Sequence, residues 1–148
     1  MPQDPAGAEV PATGAVAAPD LVMQLPDDLG AVAIAREAVR LAAEGKLSEA
    51  CVASAVLLTS ELVTNALVHA RAPVSLHVQS QFGRISVAVA DRSTTLPAPR
   101  ALDDTPLGAS GRGLLIVAAL ATLWGSQYVP SAAGKVVWFE VHDEHPAV

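Results

Sequence analysis

The chain has 148 residues, 51% of them hydrophobic, enough for one domain with a sizeable core. Its formal net charge of −6, with only nine Lys and Arg, excludes the basic patch that direct nucleic-acid binding demands. The single cysteine, Cys51, excludes an intramolecular disulfide and a cysteine-based zinc site, and fits a reducing cytoplasm.

Residues 1–19 are rich in Ala, Pro and Gly without apolar periodicity and read as a disordered tail. The start, Met1-Pro2-Gln3-Asp4-Pro5, is acidic and has no apolar segment, so it is not a secretory signal. No continuous apolar run reaches bilayer-spanning length, which predicts a soluble, cytoplasmic protein without a membrane partner. One folded domain is expected over 20–143, followed by a short tail, 144–148.

Leu21-Val22-Met23-Gln24-Leu25 predicts a strand stopped by Pro26. Asp27 or Asp28 then offers an N-cap for a helix to Glu44, with Gly45 as its stop. Ser48 followed by Glu49 caps a longer helix through His69, which Pro73 cannot continue. Val74, Leu76 and Val78 alternate with polar residues, as do Ile85, Val87 and Val89 beyond a Phe82-Gly83-Arg84 turn, giving two antiparallel strands.

From Arg92 to Ser110 the pattern breaks into Thr, Pro, Asp and Gly, a loop long enough to act as a mobile lid. Gly111-Arg112-Gly113 opens a helix over Leu114–Leu123, and strands at Trp124–Val129 and Lys135–His142 close the chain around Ser131-Ala132-Ala133-Gly134. This order predicts an α+β two-layer sandwich: a mixed, mostly antiparallel sheet with helices on one face. With aromatics at 3%, Ala, Val, Leu and Ile must build its core.

Glu61, Asn65 and His69 are four apart and share a helix face inside an apolar run, where unpaired burial would be costly. Asn65 offers a neutral oxygen that can join a hydrated Mg²⁺, and Glu61, one turn earlier, can hold a water or hydroxyl as general base. Asp91 ends a strand, where it can accept from an amino group such as that of adenine or serve as a solvated turn residue. The glycines of Gly111-Arg112-Gly113-Leu114 precede a helix N-terminus, which suits a phosphate or is an ordinary glycine-rich helix start. His69 reads as a capping or polar-contact residue rather than a phosphoacceptor. His77, His142 and His145 show no metal-ligand spacing.

In this order the three segments resemble the N, G1 and G2 boxes of the GHKL, or histidine kinase-like, ATPase superfamily, whose fold is called the Bergerat fold. The likeness lies in ELVTNALVHA, in GRGLLIVAALATLWG and in the closing Gly134-Lys135-Val136-Val137-Trp138-Phe139. The last looks like the branch of stand-alone actinobacterial domains related to anti-sigma-factor serine/threonine kinases. Where the wider superfamily has Asp-x-Gly, this chain has Asp91-Arg92-Ser93, and Ser93 with Pro97 looks like a variant of that branch.

The resemblance implies ATP and Mg²⁺ as cofactors. Asn65 would bind the Mg²⁺ that bridges the phosphates. Asp91 would recognise the adenine amino group, and Gly111 and Gly113 would let the end of the lid approach the phosphates; Ser93 and Leu114 are further nucleotide-binding candidates, and Arg112 either contacts a phosphate or the lid or is a solvated helix-entry charge. Glu61 would be the catalytic base of a protein serine/threonine kinase acting on a STAS-type antagonist or binding a sigma factor. A homodimer is likewise implied. The alternative is a non-catalytic partner-binding module of the same fold, with weak nucleotide binding or none. Arg36, Glu37 and Arg40 on the first helix do not distinguish a sigma factor from an antagonist.

Overall fold

The computed structural model describes residues 20–69, 73–92, 116–117, 119–129 and 134–144. The expected tail 1–19, the lid from Ser93 onward, the Gly111-Arg112-Gly113-Leu114 turn, residues 130–133 and residues 145–148 lie outside them, as does the side chain of His69.

Among the described residues five strands form one sheet: β1 (Leu21–Leu25), β2 (Val74–Gln81), β3 (Arg84–Asp91), β4 (Leu123–Val129) and β5 (Gly134–His142), in the order β1-β2-β3-β5-β4. Every neighbouring pair is antiparallel, so the mixed sheet is not realised among the described strands. Alternation decides which side chains turn inward: Leu76 and Val78 of β2, Ile85, Val87 and Val89 of β3, and Val137, Phe139 and Val141 of β5. Two helices, α1 (Gly30–Ala43) and α2 (Glu49–His69), complete an α+β two-layer core with them.

In α1 the buried positions are Ala31, Ala35, Val39 and Ala43, spaced four apart. This ridge of small side chains lets α1 pack closely against α2, which the scarcity of aromatics anticipates. Its start differs slightly from expectation. Asp28 Oδ1 accepts from the Gly30 N–H at 2.7 Å, but Leu29 occupies the cap and makes no side-chain cap bond. Gly45 adopts a φ of 79°, which the turn into α2 requires and a side chain would strain. Ser48 Oγ then accepts from Cys51 N–H at 3.3 Å, the expected N-cap bond of α2.

By length and composition α2 could cross a membrane between Glu49 and Val68, contrary to the expectation that no run is long and apolar enough. Here it packs as a core helix, with Ala55, Leu58, Leu62, Val63 and Ala66 buried among the strands. Thr59, also buried, returns its hydroxyl to the Ala55 carbonyl at 2.8 Å, so its donor is matched within the helix.

The two ends of the sheet differ. At one, the α1–α2 turn is bound to the β2–β3 turn and to the residue after β5. Gly83 N–H donates to Lys46 O, Asp143 N–H to Gly83 O, Lys46 Nζ to Ser80 Oγ and Ser48 N–H to Asp143 Oδ2. The opposite end carries Val74, Asp91 and Lys135, the start of β2, the end of β3 and the start of β5. Only four residues separate His69 from Val74, a span of about 18 Å at most, so α2 must end within reach of that second edge.

Residues 116, 117, 119 and 120 are helical, and Ala121 N–H donates to Val117 O at 2.9 Å. The helix does not reach Leu123 as expected. Thr122 N–H instead donates to Glu140 O at 2.8 Å, and Leu123 already pairs with Glu140 as the first residue of β4.

Candidate functional site

Glu61 and Asn65 stand in the C-terminal half of α2, which leads to the sheet edge holding Asp91. Both are intermediate in exposure. They lie on the flank of the helix between the buried Leu58/Leu62 stripe and the exposed Leu57 and Val68. An acid and an amide on a rigid, half-buried flank can meet a ligand without first being pulled from the core. His69 is the final residue of α2.

Burial raises the Glu61 carboxyl above its ordinary pKa of 4.5. Because the folded value exceeds the unfolded one, ionising Glu61 costs the fold stability as pH rises through that window, and the cost is absent on its acid side. Glu61→Gln should therefore melt higher than the wild type at pH 7, with the gap closing on acidification toward pH 4. Thermal melts over that range measure it, and a constant gap would contradict the burial effect.

Asp91 is not a solvated turn residue. It closes β3 on the inward face, directly across from Lys135 of β5, and its carboxylate accepts from Lys135 Nζ at 2.6 Å. The two side chains are 2% and 7% exposed, so this is a buried ion pair. Sequence reasoning placed Asp91 in the site and missed Lys135. The signal was present: Lys135 shares its strand parity with Val137, Phe139 and Val141, which put an ammonium on the buried face and required a partner.

Gly134, next to Lys135, fixes how closely the two strands approach. A Cβ built there would lie 2.0 Å from the Asp91 carbonyl oxygen and 3.0 Å from Arg92 Cα, both backbone atoms that cannot swing aside. Gly134→Ala should push the end of β3 away and disturb the Asp91–Lys135 pair. The expected result is a destabilisation of about 1–3 kcal/mol in urea unfolding, as for other overpacked sites; an unchanged midpoint would show that the approach is looser.

Of the expected site residues, Asp91 is placed in a buried, charge-compensated position, and Glu61 and Asn65 are placed on the helix that ends at the same sheet edge. Ser93, Gly111, Arg112, Gly113 and Leu114 fall outside the described residues. Among the described residues no group of three or more His, Cys, Asp or Glu could hold a metal. The donors present suit a hard cation that takes one or two protein oxygens and completes its shell with phosphate and water, the habit of Mg²⁺. His77 stays apart from the site: on β2 its Nε2 lies 3.1 Å from Ser75 Oγ, and burial lowers its pKa.

Residues 25–141 match the family described as the histidine kinase-like ATPase domain. Among solved structures, that of the RsbU and RsbW domains of Rv1364c from Mycobacterium tuberculosis is similar, with a TM-score of 0.62 and 21% identity. The likeness covers 86% of this chain but 33% of that one, so the chain spans about a third of its length, and the shared feature is the fold. No curated protein matches. The family match runs from the end of β1 to the last residues of β5 and takes in Glu61, Asn65 and Asp91. The chain belongs to the histidine kinase-like ATPase domain family.

Proposed function

We propose that the protein is an ATP-binding regulator of the anti-sigma type, a protein serine/threonine kinase that transfers the γ-phosphoryl group to a STAS-type antagonist or holds a sigma factor. The observation that carries this reading is the Asp91 carboxylate, buried at the end of β3 at the sheet edge where α2, bearing Glu61 and Asn65, ends. The carboxylate is paired with Lys135, and it sits where the family's resemblance puts adenine recognition. The structural likeness to an RsbW domain supports the regulatory assignment.

In this reading Asp91 accepts from the adenine amino group and orients the nucleotide. Asn65 presents its carboxamide oxygen to Mg²⁺, which supplies charge neutralisation at the phosphates. Glu61, held half-buried on the helix, takes the proton from the attacking hydroxyl. Phosphoryl transfer needs little beyond positioning and charge neutralisation, so a domain of this size suffices.

Calorimetry with ATP, in the presence and absence of Mg²⁺, tests the reading. Saturable heat is expected, and Asn65→Ala should abolish its Mg²⁺-dependent part while sparing binding without the metal. A ligand at about a hundred times its Kd stabilises the fold by about 2.7 kcal/mol, so the same comparison is visible in thermal shifts. No heat and no shift at millimolar nucleotide would leave the second reading, a non-catalytic partner-binding module. That alternative draws on the commitment of the Asp91 carboxylate to Lys135 in the structure itself.

A further inference from the structure

We propose that Lys135 is a base-reading residue, whose ammonium donates to N1 of the adenine while Asp91 accepts from the adjoining amino group. This rests on the proposed ATP site and adds to it a residue from a different strand. A lysine ammonium has three N–H donors, and Asp91 takes one. Among the described residues Lys135 has no second acceptor, although its side chain is only 7% exposed. Buried donors left unmatched are uncommon, because each forfeits its hydration without return. A ligand that brings an acceptor to Nζ removes that deficit.

The chemistry of the pair specifies the ligand edge. Asp91 Oδ2 and Lys135 Nζ are 2.6 Å apart, an acceptor beside a donor. Adenine offers the complement on adjacent atoms, an amino donor at C6 and a ring acceptor at N1. The register holds the two side chains side by side, since Asp91 and Lys135 are direct cross-strand partners, and Gly134 lets the backbones close to that distance. The ion pair therefore does two things. It gives a buried carboxylate a hydrogen-bonded partner, and it presents a second recognition atom that a lone aspartate lacks.

The test compares ATP with its 1-deaza analogue, in which N1 is replaced by C–H, using competition binding with Mg²⁺ present. Wild-type protein should bind the analogue about 10- to 100-fold more weakly, the effect of losing one hydrogen bond from a charged donor. In Lys135→Met, ATP affinity should fall and the ratio between the two nucleotides should approach one. Lys135→Gln keeps an N–H donor for Asp91 on a shorter arm and should collapse the ratio in the same way, so loss of folding in the methionine variant does not remove the test. Equal affinities in the wild type overturn the proposal. So does an unchanged ratio in a folded Lys135 variant, or tighter ATP binding by Lys135→Met, which would make Lys135 a competitor for Asp91. If the wild type binds neither nucleotide at millimolar concentration, the ATP site itself falls and this assignment with it; the other outcomes leave the ATP site standing.

Discussion

Asp91→Ala should destabilise the protein by about 3–5 kcal/mol, the loss that follows when one partner of a buried ion pair is removed and the other is left without counter-charge. Lys135 would remain 7% exposed with its nearest carboxylate gone. A domain of ordinary stability has about 5–15 kcal/mol in total, so the variant would keep only part of its folding free energy. The double variant Asp91→Ala/Lys135→Met should recover much of the loss, because replacing both charges removes the desolvation problem that the single change creates. Urea unfolding of the four proteins gives the coupling directly. Additive effects of the two substitutions would mean that the 2.6 Å contact is not the source of the stability.

The pairing of Asp91 with a residue on a distant strand explains why it was only half legible in the sequence. Its place at the end of an alternating strand could be read, and so could its candidacy for an amino-group acceptor. Its partner could not be read from neighbouring residues, because Lys135 lies 44 positions away and meets it only through the β3–β5 register. Most of the framework was local and therefore readable. Period-two alternation marked β2 and β3 within a residue or two, Ser48 marked the start of α2, and Gly45 and Gly83 marked turns that their positive φ values confirm.

Where the structure departs from the local pattern, the causes are tertiary pairing in one place and local side-chain bonding in others. The apolar run to Leu123 reads as helix, yet Leu123–Val129 is claimed by β5, and Thr122 spends its N–H on Glu140. Asp28 is a good cap by type, but the helix begins two residues later, with Leu29 at the cap and Asp28 bonded to Gly30. The apolar length of α2 was underestimated because Thr59, Ser60, Glu61 and Asn65 interrupt it in sequence. Thr59 and Ser60 fold their hydroxyls back to carbonyls four residues earlier, and Thr59 is fully buried.

Glu61 and Asn65 escape that neutralisation, and the larger functional prediction rests on the first of them. Glu61→Gln should reduce phosphoryl transfer to a protein hydroxyl by about 10²- to 10⁴-fold, the usual contribution of a positioned general base. Glutamine keeps the size and polarity of the side chain but cannot take a proton, so nucleotide affinity should stay within a few-fold of the wild type. The half-buried setting that raises the Glu61 pKa also makes its carboxylate a stronger base than an exposed glutamate. Transfer by the wild type should therefore decline as pH falls through that raised value, and the residual rate of the glutamine variant should lose the same limb of the profile. Phosphoserine formed on a STAS-type antagonist with Mg²⁺ and ATP, measured between pH 4.5 and 8, provides both readings. Undiminished transfer by Glu61→Gln would remove Glu61 as the base, and a variant that loses ATP binding together with transfer would make it a binding residue instead.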